Sequence, residues 1–133
     1  MQEQIEINMI FGIGVDMIET DRVGEKIARE NGFREYIFTP SEINYCEGKT
    51  QKSEHYAARF AAKEALLKAL GTGFPGGIAL NEIEIIHDDA GKPEFMFFNE
   101  SANLIESKNF TRIHLSISHL KHIACAMVVI EQN

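Results

Sequence analysis

Two carboxylates and three cations carry the chemistry that this sequence can support. Asp16 is the one charge in the apolar run from Ile10 to Ile18. Glu64 lies in Tyr56 to Leu70, a segment that is apolar nearly all round, with only Arg59, Lys63, Glu64 and Lys68 charged. An all-round apolar helix is a buried one. Charges on it are costly unless they are paired or bind something charged. Arg59 and Lys63 stand at i, i+4 as like charges, which is mildly destabilising in isolation. Glu64 and Lys68 have the same spacing in the favourable order. Three cations and one acid on such a helix suggest a polyanion with a metal ion among them. Asp16 and Glu64 together would hold magnesium, which takes one or two carboxylates and completes its octahedral shell with water and substrate phosphates. Arg59, Lys63, Lys68 and the amides of Gly71-Thr72-Gly73 are suited to those phosphates. Plainer readings stand beside these: a salt-bridged helix for the long segment, and a capping or turn aspartate for Asp16.

The elements that must position these residues follow from periodicity. Ile10 to Ile18 reads as a buried strand, Glu19-Thr20-Asp21 as a cap, and Arg22 to Asn31 as a helix ended by Gly32. Thr39-Pro40-Ser41-Glu42 is a capping box with proline at the first helical position. A polar loop over Lys49 to Ser53 precedes the long helix, Glu54 to Leu70, and a glycine-rich loop over Gly71 to Gly77 follows it. Leu80 to His87 and Glu94 to Phe98 form a hairpin around the turn at Asp88 to Pro93. Ser101 to Lys108 reads as a short helix with Ser101 as its cap. Arg112 to Ser118 and Ile123 to Ile130 are the last two strands. The expectation is an α+β fold: a mainly antiparallel sheet packed against a long buried helix and shorter helices.

Composition narrows the function. At 133 residues and 44% hydrophobic, the chain suits a single domain over 1–133 with a real core. The net charge of -7 argues against nucleic acid or an anionic membrane as the main partner. Cys46 and Cys125 are far apart with no Cys-x-x-Cys, which disfavours a disulfide framework and a zinc site and fits a reducing cytoplasm. No apolar run approaches the roughly 20 residues of a membrane span. The first eight residues carry no basic residue and do not read as a signal peptide. His55, His87, His114 and His122 read as surface or strand residues, and His87-Asp88-Asp89 as a solvated turn.

Gly14-Val15-Asp16, followed by Arg59-Phe60-Ala61-Ala62-Lys63-Glu64-Ala65-Leu66-Leu67-Lys68, resembles the paired signature of the 4'-phosphopantetheinyl transferases. The small bacterial type, the holo-acyl-carrier-protein synthases, is the nearest match, and the Gly71-Thr72-Gly73 turn and Leu115 to His119 agree with it. The similarity runs from about Met9 to Glu131. It implies transfer of phosphopantetheine from coenzyme A to a serine of apo acyl carrier protein, releasing 3',5'-ADP and supporting fatty acid biosynthesis. By the same resemblance Asp16 and Glu64 hold magnesium at the pyrophosphate. Arg59, Lys68, Gly71 and Thr72 bind nucleotide phosphates, and Ser118 and His119 meet the 3'-phosphate and adenosine. Lys63 binds phosphate or helps deprotonate the serine, with Glu64 or a metal-held water as the competing base. Lys49 and Lys52 lie where the family carries basic residues for a coenzyme A phosphate. Arg22, Lys26 and Arg29 form one face of the helix that receives the acidic carrier protein. A homotrimer with sites between subunits is implied too, consistent with apolar strand faces such as Phe95, Phe97 and Phe98 beside Ile113 and Leu115. Residues 1–8 are a possible N-terminal extension, disordered or adding an edge strand, or Met9 is the start. Two other readings remain: a non-catalytic coenzyme A or nucleotide sensor, and another phosphate-handling enzyme such as a pyrophosphatase.

Overall fold

The structure is a computed structural model that describes residues 7–71 and 77–133; Thr72, Gly73 and most of the possible N-terminal extension lie outside the described residues. Strand β1 (Met9–Glu19) runs directly into helix α1 (Thr20–Ala28). Two short helices follow, α2 (Phe33–Ile37) and α3 (Pro40–Glu47), then the long helix α4 (Lys52–Leu70). After a 3-10 turn at Leu80–Glu82 come the hairpin β2 (Ile83–His87) and β3 (Pro93–Phe97), helix α5 (Asn99–Ser107), and the hairpin β4 (Phe110–His119) and β5 (Ile123–Gln132). The class is α+β, with every strand pair antiparallel.

The last strand is the central one: the main sheet has the order β1-β5-β4, and β2-β3 forms a second, two-stranded sheet. Ala124, Ala126, Val128 and Ile130 of β5 alternate onto the buried face and meet α4. Beside them Gly12 and Gly14 put bare β1 backbone against the same helix. A Cβ at Gly12 would run into the carbonyl oxygen of Ala69, and one at Gly14 into that of Ala65. The alanines at 57, 58, 61, 62, 65 and 69 let sheet, α1 and the β2 hairpin close on α4 from several sides, which is why that helix is apolar nearly all round. Asp16 continues the row of Gly12 and Gly14, two residues apart on one face of the strand, so the pleat turns it toward α4.

Two local expectations are corrected. Thr20 does not cap α1 with its side chain: it is buried, its Oγ1 donates to Lys121 O at 2.6 Å, and its N–H donates to His122 O at 3.0 Å, tying the helix start to the β4–β5 turn. Ser101 lies inside α5, donating from Oγ to Glu82 Oε1 at 2.8 Å, and Phe98 holds the cap position. Phe95 and Phe97 are half-buried against the core while Phe98 is exposed, and among the described residues Ile13, Val15, Met17, Ile123 and Met127 are also exposed, on the outer face of the main sheet.

Candidate functional site

A helix advances about 100° per residue. Arg59 and Lys63 are therefore about 40° apart around α4, as are Glu64 and Lys68, and Glu64 is turned about 140° from Arg59. One short run of charges is thereby dealt out to different surroundings.

Glu64 and Lys68 face β1 and α1. Lys68 Nζ donates to Asp16 Oδ1 at 2.9 Å and to Val15 O at 3.0 Å. Asp16, Arg22, Lys26, Phe33, Phe60 and Glu64 line a cleft of about 270 Å³. Burial first, and then the Asp16 charge, pushes the Glu64 carboxyl above its ordinary pKa; Lys68 and Lys26 pull the other way. The two acids thus repel one another in a partly dry cleft, a tension that a divalent cation would relieve. The donor set fits magnesium: two hard carboxylates, with room for waters or phosphate oxygens. Among the described residues no three His, Cys, Asp or Glu side chains group to hold a metal, so an ion here would draw on substrate or solvent for its remaining ligands. Arg22 and Lys26 reach the cleft wall, while Arg29, the C-cap residue of α1, is exposed beyond it.

Lys63 lies apart from this pair. Its side chain has no solvent exposure, and its three ammonium protons are matched by three acceptors: Glu42 Oε1 at 2.6 Å, Ile37 O at 2.7 Å and Leu80 O at 3.0 Å. Glu42 in turn accepts from Thr39 N at 3.0 Å, completing the capping box, and from Ile85 N at 2.9 Å. Lys63 was expected at phosphate or the acceptor serine; here its ammonium is instead sealed, with each proton committed within the chain. Burial holds the Lys63 pKa below its usual value, against the pull of Glu42.

Arg59 faces a second cleft of about 270 Å³, lined by Tyr45, His55, His87, Pro93 and His119. The residue is only 6% exposed. Its guanidinium carbon sits 4.4 Å from the Tyr45 ring centre, and one terminal nitrogen donates to His55 O at 3.3 Å. Its Nε is buried without a partner among the described residues. Such a donor costs about 1–3 kcal/mol, and an anion would repay it. Lys49 lies 4.6 Å from the same Tyr45 ring, while Lys52 turns to Glu47 at 3.5 Å. His119 contacts Glu54 at 3.3 Å through Nδ1, and its ring centre is 6.0 Å from that of His55. Ser118 belongs to the opposite face of β4, one residue out of phase with Ile117 and His119, and does not join the cleft. The Gly71 amide is also spoken for: it caps α4 by donating to Leu67 O at 3.0 Å, in a backbone with φ +70° that suits glycine. Tyr45, His55 and His87 are the cleft residues that the sequence reading passed over. One signal was present, since His55 and Arg59 are i, i+4 on a helix.

Residues 12–128 match the model of the 4'-phosphopantetheinyl transferase superfamily. The chain belongs to that family. The holo-[acyl-carrier-protein] synthase of Geotalea daltonii is 42% identical over 125 residues, covering 93% of this chain and all of the relative. That of Clostridium perfringens is 46% identical over 128 residues, covering 92% of this chain and 95% of the relative. Among solved structures, the Neisseria meningitidis holo-[acyl-carrier-protein] synthase aligns with a TM-score of 0.84 at 35% identity, over 93% of this chain and 100% of its own. The Helicobacter pylori enzyme in complex with coenzyme A aligns at 0.75 with 31% identity, over 89% of this chain and 98% of its own.

Proposed function

We propose that this protein transfers the 4'-phosphopantetheine arm of coenzyme A to a serine hydroxyl of apo acyl carrier protein, releasing 3',5'-ADP. The observation that carries the reading is the Asp16–Glu64 pair, held by β1 and α4 in a cleft rimmed by Lys68, Lys26 and Arg22. Relatives named holo-[acyl-carrier-protein] synthase, and related structures solved with coenzyme A, supply the substrates.

Asp16 and Glu64 would hold magnesium, which supplies Lewis-acid neutralisation of charge on the leaving phosphate. Lys68 is more than half exposed and is free to swing from Asp16 to a phosphate oxygen. The serine oxygen forms the new P–O bond as the pyrophosphate P–O bond breaks, and the serine proton needs an acceptor. With Lys63 sealed, the Glu64 carboxylate is the candidate acceptor on this face. Arg59, with its unpartnered Nε, and His119 receive the phosphates of the nucleotide half.

The two clefts look away from one another across α4. One coenzyme A molecule would reach both most simply where the Arg59 cleft of one copy meets the Asp16–Glu64 cleft of another. The exposed apolar face of the main sheet supports self-association, and a homotrimer with sites between subunits satisfies both observations. Arg22, Lys26 and Arg29 would steer the acidic carrier protein to the cleft. We place the reaction in the cytoplasm, where Cys46 and Cys125 stay reduced, and its product in fatty acid synthesis. A bare coenzyme A sensor would have no use for a paired-carboxylate cleft.

The test is intact-mass spectrometry of an apo acyl carrier protein incubated with this protein, coenzyme A and magnesium. A gain of one phosphopantetheine mass, abolished by a chelator, is expected. Unchanged carrier protein across several carriers, with coenzyme A still bound, would defeat the transferase reading.

A further inference from the structure

We infer that His55 and His87 contact the 3'-phosphate of the coenzyme A nucleotide, set the preference for that phosphorylated form, and take up protons when it binds. The inference rests on the coenzyme A reading above. It starts from Arg59, a buried cation whose Nε has no acceptor among the described residues and which lines a cleft of about 270 Å³. His55 sits one helical turn before Arg59, its ring edge-on to Tyr45 with centres 5.6 Å apart. His87 enters the same cleft from the end of β2, and His119 from the end of β4. A guanidinium and three imidazoles around one small space provide several N–H donors and latent positive charge. A purine ring needs neither in that number, whereas a phosphomonoester uses both.

The charges around the two imidazoles explain their behaviour without ligand. His55 faces Arg59 on its own helix, Lys49 before that helix and His119 of β4, with Glu54 as the opposing carboxylate and the Tyr45 phenol of α3 alongside. His87 faces Arg59, opposed by its neighbour Asp88. Burial first, and Arg59 next, hold both imidazoles below their ordinary pKa, so both are neutral at neutral pH. A dianionic phosphate reverses the local field and favours the protonated rings. Their pKa is then higher in the complex than in the free protein. The extra affinity is fully present below the free-state pKa and is lost as pH rises through the bound-state pKa. The ligand pulls the other way: a phosphomonoester has its second pKa near ~6, so at a pH of about 7.5 it is already mostly dianionic and has only a little proton to release.

The experiment is calorimetric titration of the full chain with coenzyme A and with dephospho-coenzyme A, near neutral pH, in two buffers of different ionisation enthalpy. Coenzyme A should take up on the order of one proton, its affinity falling by up to about tenfold per pH unit through the bound-state range. Dephospho-coenzyme A should take up none and bind more weakly. His55→Gln and His87→Gln should each cut the uptake and narrow the affinity ratio between the two nucleotides. Both histidines are at least partly exposed, so folding should survive, as thermal melts would verify. The two-ligand comparison on the parent protein decides the matter even if a variant misfolds. Coenzyme A binding with no proton uptake, or with the same uptake for dephospho-coenzyme A, overturns this inference alone. If neither nucleotide binds, the coenzyme A reading falls and this inference with it.

Discussion

Lys63→Met should destabilise the fold while leaving the chemistry of the surviving folded protein largely intact. The substitution keeps the unbranched side chain to within one atom of its length and removes the charge. Glu42 then remains buried as a carboxylate with two backbone donors and no cation, and Ile37 O and Leu80 O lose their partner. Removing one member of a buried ion pair costs about 3–5 kcal/mol. That is a large share of the roughly 5–15 kcal/mol that holds a domain together. Over 133 residues, an unfolding entropy of about 2.1 cal/mol/K per residue gives ~0.28 kcal/mol/K, so the melting temperature should fall by about 11–18 °C. Adding Glu42→Gln should recover part of the loss, since it removes the stranded charge and its amide oxygen still accepts from the Thr39 N–H, while its amide nitrogen is left facing the Ile85 N–H. The assay is a thermal melt followed by circular dichroism, with transfer measured well below the lower midpoint. A Lys63→Met protein that melts with the parent yet has lost transfer by orders of magnitude would refute the argument and return Lys63 to the reaction.

Asp16→Ala and Glu64→Ala should each abolish transfer to the limit of detection in a carrier-protein mass assay, with melts close to the parent, because neither acid has a buried partner to strand. Glu64→Gln carries a signed prediction. A carboxyl whose folded pKa is raised contributes stability in acid that is lost as pH rises through the folded value, so in metal-free protein the glutamine variant should melt higher than the parent at neutral pH. That gap should close as pH falls through the carboxylate range; a gap of the same size in acid would contradict the stated cause. Arg22→Glu with Lys26→Glu should raise KM for the carrier protein about tenfold or more at low salt, with the difference shrinking at high salt. Val15→Asp on the outer sheet face should lower the assembled mass in analytical ultracentrifugation; an unchanged sedimentation coefficient would remove that face from the interface.

The α+β class was readable from sequence, and joining Asp16 to Glu64 already set β1 against the long helix; the close approach that Gly12 and Gly14 permit emerged only in the structure. Each strand boundary shifted by no more than a few residues. The 3-10 turn at Leu80–Glu82 and the short helix α2 were missed, as neither is long enough to show a period. The meeting of Asp16 and Glu64 in one cleft was legible because a charge in an apolar stretch calls for a partner. The surroundings of Lys63, Gly71 and Ser118 were not legible, for a common reason. Each depends on which way a side chain or amide points, and that is set by packing partners distant in the chain: Glu42 for Lys63, the Leu67 carbonyl for Gly71, the pleat of β4 for Ser118.

The dense charge pattern on α4 then has a physical explanation. Lys63 and Glu64 are neighbours in sequence and about 100° apart on the helix, far enough for one to be sealed and the other to face a cleft. Glu42 makes that separation possible: it neutralises Lys63 inside the core, caps α3 and accepts from Ile85 N of β2 with a single carboxylate. The positive field of Lys63 is thereby spent on Glu42, leaving Glu64 governed first by burial and then by Asp16, Lys68 and Lys26. Were Lys63 free to lean toward Glu64, its charge would pull that carboxyl down and weaken it as a proton acceptor. The raised Glu64 and the buried Lys63–Glu42 pair are on this view two consequences of one arrangement, so removing Glu42 should disturb the Glu64 titration as well as the fold.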